Sequence, residues 1–149
     1  MIGIGFLIYM VILAVILAFW EIQIEGKNGW AGNLPCWRIK TGWVVKLLGG
    51  RPLTGYHICL NIFLVFVLHV PIFFTAWSWR LESLLLGFLI GILLVEDFLW
   101  FVFNPYYGLK NFKPGKIWWH KKWLGPVPDY YWFTAIIVGL LFYLGWPAI

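Results

Sequence analysis

A small set of side chains has the types and spacing to do chemistry where chemistry is costly. Glu96 and Asp97 are adjacent acids inside an apolar run, six or seven residues from its end at Phe103. At a helical rise of 1.5 Å per residue they lie about 10 Å below that end. A carboxylate at depth in a bilayer costs several kcal/mol by insertion scales, about 3 kcal/mol for an aspartate, so such groups face the interior of a bundle. Glu21 and Glu25 close another apolar run and fall on one helix face if the helix continues that far. His57 and Asn61 share the same four-residue spacing at the start of a further run, and that face can be level with the acids. His69 lies deeper and could continue a polar path inward. Asn104 precedes Pro105, which favours a non-helical exit, and His120 stands among aromatic and basic residues in Trp118-Trp119-His120-Lys121-Lys122-Trp123.

Carboxylates with histidine admit two chemistries. Glu21, Glu25, Asn61, Glu96, Asp97 and Asn104 could bind a cation, a proton or a small polar molecule from the cytosol, with Glu96 or Asp97 as the titrating group. Alternatively, His57 and His120 could join Glu21, Glu96 and Asp97 as mixed oxygen and nitrogen ligands to a divalent transition metal. That metal would serve a membrane enzyme acting on a lipid headgroup or isoprenoid, with the basic, aromatic connections holding an anionic headgroup. The plainer account is a structural or accessory subunit, in which Glu96 and Asp97 pair with Arg38, Arg51 or a loop lysine, or share a proton, and hold the bundle together.

Elements that could position these groups follow from composition. With 62% hydrophobic and 11% charged residues, the 149-residue chain is far from the soluble norm of about 45–50% apolar and about 25% charged. The apolar residues form four blocks, about 2–20, 58–77, 84–103 and 131–146. Each is near the ~20 residues that a helix needs to cross ~30 Å of hydrocarbon, and barrel strands would alternate instead. The expected fold is an all-α integral membrane protein with four transmembrane helices in a single domain. The first block has neither a basic leader nor a small-residue cleavage motif before Glu21, and reads as a retained helix. Tryptophans at or near the block ends, Trp20, Trp77, Trp79, Trp100, Trp132 and Trp146, fit an aromatic belt. Others, such as Trp43 and Trp119, place the connections along the membrane surface.

Ten of the eleven Lys and Arg residues fall in the two long connections, and only Arg80 lies on the other side. The positive-inside rule then makes the long connections cytoplasmic and both termini external, in the cytoplasmic membrane if the cell is bacterial. The net charge of +5 is accounted for by this topology and by anionic headgroups, so no nucleic-acid partner is expected. Cys36 and Cys59 would then lie at the reducing face, where a disulfide is not expected. A homo-oligomer would widen any pathway that four helices leave narrow.

Displaced by 76 residues, the chain aligns on itself without gaps. Asn28 meets Asn104, Lys40 meets Lys116 and Pro71 meets Pro147, and W-x-x-K-x-L-G-x-x-P recurs from Trp43 to Pro52 and from Trp119 to Pro128. Residues 1–75 and 76–149 therefore read as parallel repeats, each a helix, a long interfacial connection and a helix. In that register Glu21 falls on Asp97. Walker, G-x-G-x-x-G, G-x-S-x-G and H-E-x-x-H motifs are all missing from the sequence.

Overall fold

The structure is a computed structural model and describes residues 3–146. Ile2, the first residue of the first apolar block, and Pro147, the partner of Pro71 in the internal alignment, lie outside the described residues. The chain is mostly helical, and three helical segments are long and apolar enough to cross a bilayer. They are α1 (Gly3–Glu25), α3 (Gly55–Leu68) with the 3₁₀ turn Val70–Phe73 that extends it, and α4 (Trp79–Phe103). These are the hallmark of an integral membrane protein. A fourth apolar helix, α5 (Asp129–Gly145), is shorter at 17 residues.

Local chemistry sets helix limits that the apolar blocks miss. α1 runs past Trp20 to include both Glu21 and Glu25, and the Glu25 carboxylate accepts from the Ala31 amide of the following turn. α3 starts before the apolar run because Thr54 caps it, its Oγ1 accepting from the His57 amide at 3.3 Å. It stops well short of Trp77 because Pro71 supplies no amide and resists continuation. Ser78 caps α4 in the same way, accepting from Leu81 at 3.1 Å, so α4 starts at Trp79 rather than Leu84. Its exit is Asn104, held extended by the following Pro105.

The connections carry short strand pairs of two residues a side, while the chain as a whole is mostly helical, compatible with the all-α expectation. In the first, β1 (Arg38–Ile39) and β2 (Leu53–Thr54) pair antiparallel around a short helix α2 (Trp43–Leu47). In the second, after a 3₁₀ turn at Leu109–Asn111, β3 (Trp123–Leu124) pairs with β4 (Val127–Pro128). Each pair leads directly into the next helix. Gly49 and Gly125 both occupy the left-handed region, at φ +68° and +66°, which costs a glycine nothing.

Helix α4 is central, flanked by α1 and α5. Between apolar helices in lipid, association relies on close packing at small residues more than on apolar transfer. A Cβ at Gly145 would lie 2.8 Å from the Leu84 amide nitrogen and 2.9 Å from the Arg80 carbonyl, so α5 meets the backbone of α4 there. Met10, Ala14 and Leu17 of α1 pack with Leu60, Phe88 and Ile92. α3 is loosely held, with only Gly55 and Leu60 buried, and the space it leaves against α4 becomes the cavity described next.

The second connection does not lie along a surface throughout. Ile117, Trp119 and His120 turn inward and are 2%, 5% and 3% exposed, packing with Ile22, Trp100 and Phe101. The Trp119 ring lies so close over Gly29 that no side chain would fit there. Trp100 is likewise interior rather than interfacial.

Candidate functional site

The C-terminal ends of α1 and α4 and the N-terminal ends of α3 and α5 meet at one end of the bundle, around a cavity of about 480 Å³. Glu21, Glu25, His57, Asn61, Glu96 and Asp97 all line it. The sequence thus identified side chains from three helices that converge on one space. His120 reaches the same site from behind the wall, and Asn104 does not reach it.

Glu21 and Glu25 are 8% and 7% exposed and lie one turn apart on α1. With His57 they offer three ligand atoms that lie within 4.8 Å of one another. His57 Nε2 is 3.8 Å from Glu25 Oε1. The imidazole is fixed from both sides: Nδ1 lies 2.6 Å from Thr54 Oγ1, and the ring stacks on Trp30 with centroids 4.4 Å apart. A histidine whose Nδ1 is engaged in this way presents Nε2. Tyr56 donates to Glu21 Oε1 at 3.2 Å, while the Asn61 amide donates to the His57 carbonyl at 2.7 Å.

Trp30 and Ala31 have φ +57° and +51°, a conformation that costs a non-glycine residue about 1–2 kcal/mol. Three contacts hold the pair there. Trp30 Nε1 donates to the Pro52 carbonyl at 2.7 Å, Arg38 donates to the Ala31 carbonyl, and the Ala31 amide reaches Glu25. The strain therefore puts the Trp30 ring on His57 and an amide on Glu25.

Across the cavity Glu96 is 7% exposed, and its Oε1 has no hydrogen-bond partner. Asp97 accepts from the Tyr131 hydroxyl and lies 3.2 Å from Nε2 of His120. The His120 side chain is fully enclosed, among Phe101, Trp119 and Tyr130, rather than at headgroup level.

No lysine or arginine forms an ion pair with any of these acids among the described residues; the ion pairs present all use histidine. Arg38 donates instead to the carbonyls of Ala31, Gly32 and Leu34. Arg51 donates its Nε to the Leu48 carbonyl at 2.9 Å. Its guanidinium lies over Trp30 and Tyr130, at 4.6 and 4.9 Å from the ring centroids. The structural pairing expected for the acids is therefore absent among the described residues.

Two expectations move elsewhere. Asn104 is 1% exposed and its polar atoms are spent on structure. Its Oδ1 accepts from the Tyr106 and Tyr107 amides at 2.9 and 3.0 Å, and its Nδ2 donates to the Gly26 carbonyl at 2.7 Å. His69 sits at the opposite end of α3, with Nδ1 2.6 Å from the Val65 carbonyl and Nε2 3.2 Å from Glu82. It continues no polar path, and the cavity wall beyond Asn61 is Leu60, Ile90, Leu93 and Leu94.

Tyr56, Tyr130 and Tyr131 were invisible as site residues, because a tyrosine at the start of an apolar helix reads as an interfacial anchor. Thr54 had a usable signal, a threonine three residues ahead of His57 at a helix start. The chain is a helical membrane protein with a largely apolar cavity into which carboxylates and a histidine project. No family model, curated protein or solved structure matches the chain.

Proposed function

We propose that the protein is a metal-dependent membrane enzyme. Glu21, Glu25 and His57 bind a divalent transition metal ion, which acts on an amphiphile at the level of the lipid headgroups. The observation that carries this reading is the convergence of those three ligand atoms within 4.8 Å in a cavity whose acids have no lysine or arginine partner. Ligand bonds of about 2.0–2.2 Å separate neighbouring donor atoms by about 3–4 Å, so small glutamate rotations complete the set. Four carboxylates gathered in a low-dielectric space are held there either protonated or beside a positive charge. Nε2 of an oriented histidine beside them favours a metal over protons alone.

Three protein ligands leave coordination positions open, as catalytic sites do and closed structural sites do not. A metal there would activate water or polarise an ester oxygen. Glu96 is free to exchange a proton, and Asp97, oriented by His120 and Tyr131, is a second candidate base. The transport reading loses support because the wall beyond Asn61 is apolar and His69 is engaged with Glu82.

The finer architecture belongs to the same proposal. Seventeen residues give α5 a length of about 26 Å, within reach of a fourth span, and it packs along α4 between Trp132 and Trp146. Two halves, each a long helix, a connection and a shorter helix, support the duplication, as do the matching conformations of Gly49 and Gly125; the strand pairs do not correspond, since β3 falls on Leu47 and Leu48 at that offset. Their differences are equally plain: Trp43 is 73% exposed while its counterpart Trp119 is 5% exposed. The basic connections cluster at the cavity end, which the charge rule assigns to the cytosol.

Metal analysis of protein purified in mild detergent and reconstituted with Mn²⁺, Fe²⁺ or Zn²⁺ tests the proposal. About one tightly held equivalent is expected, lost in His57→Ala and Glu25→Gln. Protein that holds none of the three metals overturns it.

A further inference from the structure

We propose that the ligand of this cavity is a phosphorylated amphiphile, a phosphate ester of a long-chain alcohol, whose headgroup is shared between Arg51 and the metal position. This inference rests on the metal reading for half of its headgroup contacts and on Arg51 for the other half.

Arg51 lines the cavity with Glu21, Glu25 and His57, yet it pairs with no acid. Its plane is held between Trp30 and Tyr130, and its Nε is used on Leu48. The two terminal amino groups have no hydrogen-bond partner among the described residues. A guanidinium with one edge fixed and the other free, stacked on aromatic faces, is preorganised to take two oxygens of an oxyanion as a fork. Lys121 adds positive charge beside it through its bond to the carbonyl of neighbouring Gly50 at 3.2 Å. Arg51 and the carboxylates therefore line one cavity.

Phosphate chemistry satisfies both groups. A phosphate ester offers three terminal oxygens, two for the guanidinium fork and one for a metal held by the wall. A carboxylate has only two, so it serves one group fully or both poorly. The third feature is the apolar floor. Ile90 and Leu93 lie on α4 three to six residues from Glu96 toward the bundle centre, about 5–9 Å deeper, and Leu60 faces them from loosely packed α3. Inorganic phosphate would leave that floor uncovered, and a neutral lipid would leave Arg51 unpaired.

The test measures tryptophan fluorescence of the Mn²⁺-loaded protein in nanodiscs, titrated with farnesyl phosphate, farnesol and inorganic phosphate. Farnesyl phosphate is expected to bind at least about tenfold more tightly than either of the others, since a charge-assisted fork and several buried methylenes are each worth that factor. Arg51→Met should erase the preference over farnesol while metal content is retained. Ile90→Trp, which fills the floor, should erase the preference over inorganic phosphate. If Arg51→Met does not fold, Arg51→Lys keeps the charge without the fork, and a loss of about tenfold is expected. Farnesol binding as tightly as farnesyl phosphate overturns the anion site, and inorganic phosphate binding as tightly overturns the amphiphile.

Metal content measured on the same samples separates this inference from the reading beneath it. Metal retained without preference for farnesyl phosphate sinks the inference alone. No metal, with the preference for farnesyl phosphate over farnesol intact, sinks the metal reading and leaves the Arg51 site supported.

Discussion

The two ends of the bundle handle charge differently, half-buried at one and buried at the other. At the end formed by the α3 terminus and the start of α4, one histidine meets one acid. His69 contacts Glu82, Trp77 donates to the other Glu82 oxygen at 3.2 Å, and donors and acceptors balance. At the cavity end four acids meet two histidines, and a buried oxygen of Glu96, the indole nitrogen of Trp100 and Nδ1 of His120 lack hydrogen-bond partners among the described residues, while Nε2 of His120 faces Asp97. Buried polar groups without a partner among the described residues are thus gathered at the cavity end, the open end of the two. Such groups typically cost about 1–3 kcal/mol each.

The largest effect should come from dismantling the open end. The double variant Glu25→Gln, His57→Ala is expected to weaken metal binding by at least about 100-fold, read by competition with a fluorescent chelator. His69→Ala with Glu82→Gln should leave metal affinity within about twofold, since that pair lies at the other end. If both pairs of changes weaken the metal equally, the contrast between the ends fails.

Next in size is a change that inverts the comparison. Gly145→Val forces a side chain against the α4 backbone and should cost about 1–3 kcal/mol in unfolding experiments in detergent, with metal affinity unchanged. Gly139→Val on the same helix meets nothing within 4 Å and should be nearly silent. Equal costs at the two glycines would show that the α4–α5 contact is not as close as described.

Asn104→Ala should cost about 1–3 kcal/mol by leaving the Gly26 carbonyl and two amides without their side-chain partner. Its metal stoichiometry should stay at wild type, which separates a residue near the site from one in it. The smallest expected effect is that of Glu96→Gln. A buried carboxyl with no cation beside it sheds its charge by taking up a proton, and glutamine has the same shape, so the metal-free protein should stay within about 1 kcal/mol of wild type in thermal or denaturant stability. Destabilisation by more than that would mean that Glu96 is already paired.

Much of this contrast was legible in the sequence. An acid inside an apolar helix is readable because solvation in lipid leaves few alternatives, and Glu21, Glu25, Glu96 and Asp97 do meet. Histidines were harder, because three of them in similar contexts went to three different places. What separates them is tertiary: His57 is oriented by the cap residue Thr54, His69 is drawn to Glu82 after the Pro71 break, and His120 is carried inward by a connection that hydropathy reads as surface. Asn104 was ambiguous for a related reason. An amide beside a proline exit can serve a ligand or a turn, and only the position of Gly26, 78 residues away in sequence, decides.

The unequal lengths of α4 and α5 have a mechanical consequence. Twenty-five residues rise about 38 Å and seventeen about 26 Å, yet the two helices pack side by side. If both span, lipid beside α5 must compress while lipid beside α4 stretches or α4 tilts, at a fraction of a kcal/mol per Å of mismatch. The molecule would then be held more cheaply in a thin bilayer than in a thick one. That sorting preference resides in helix length, and no substitution at the cavity would alter it.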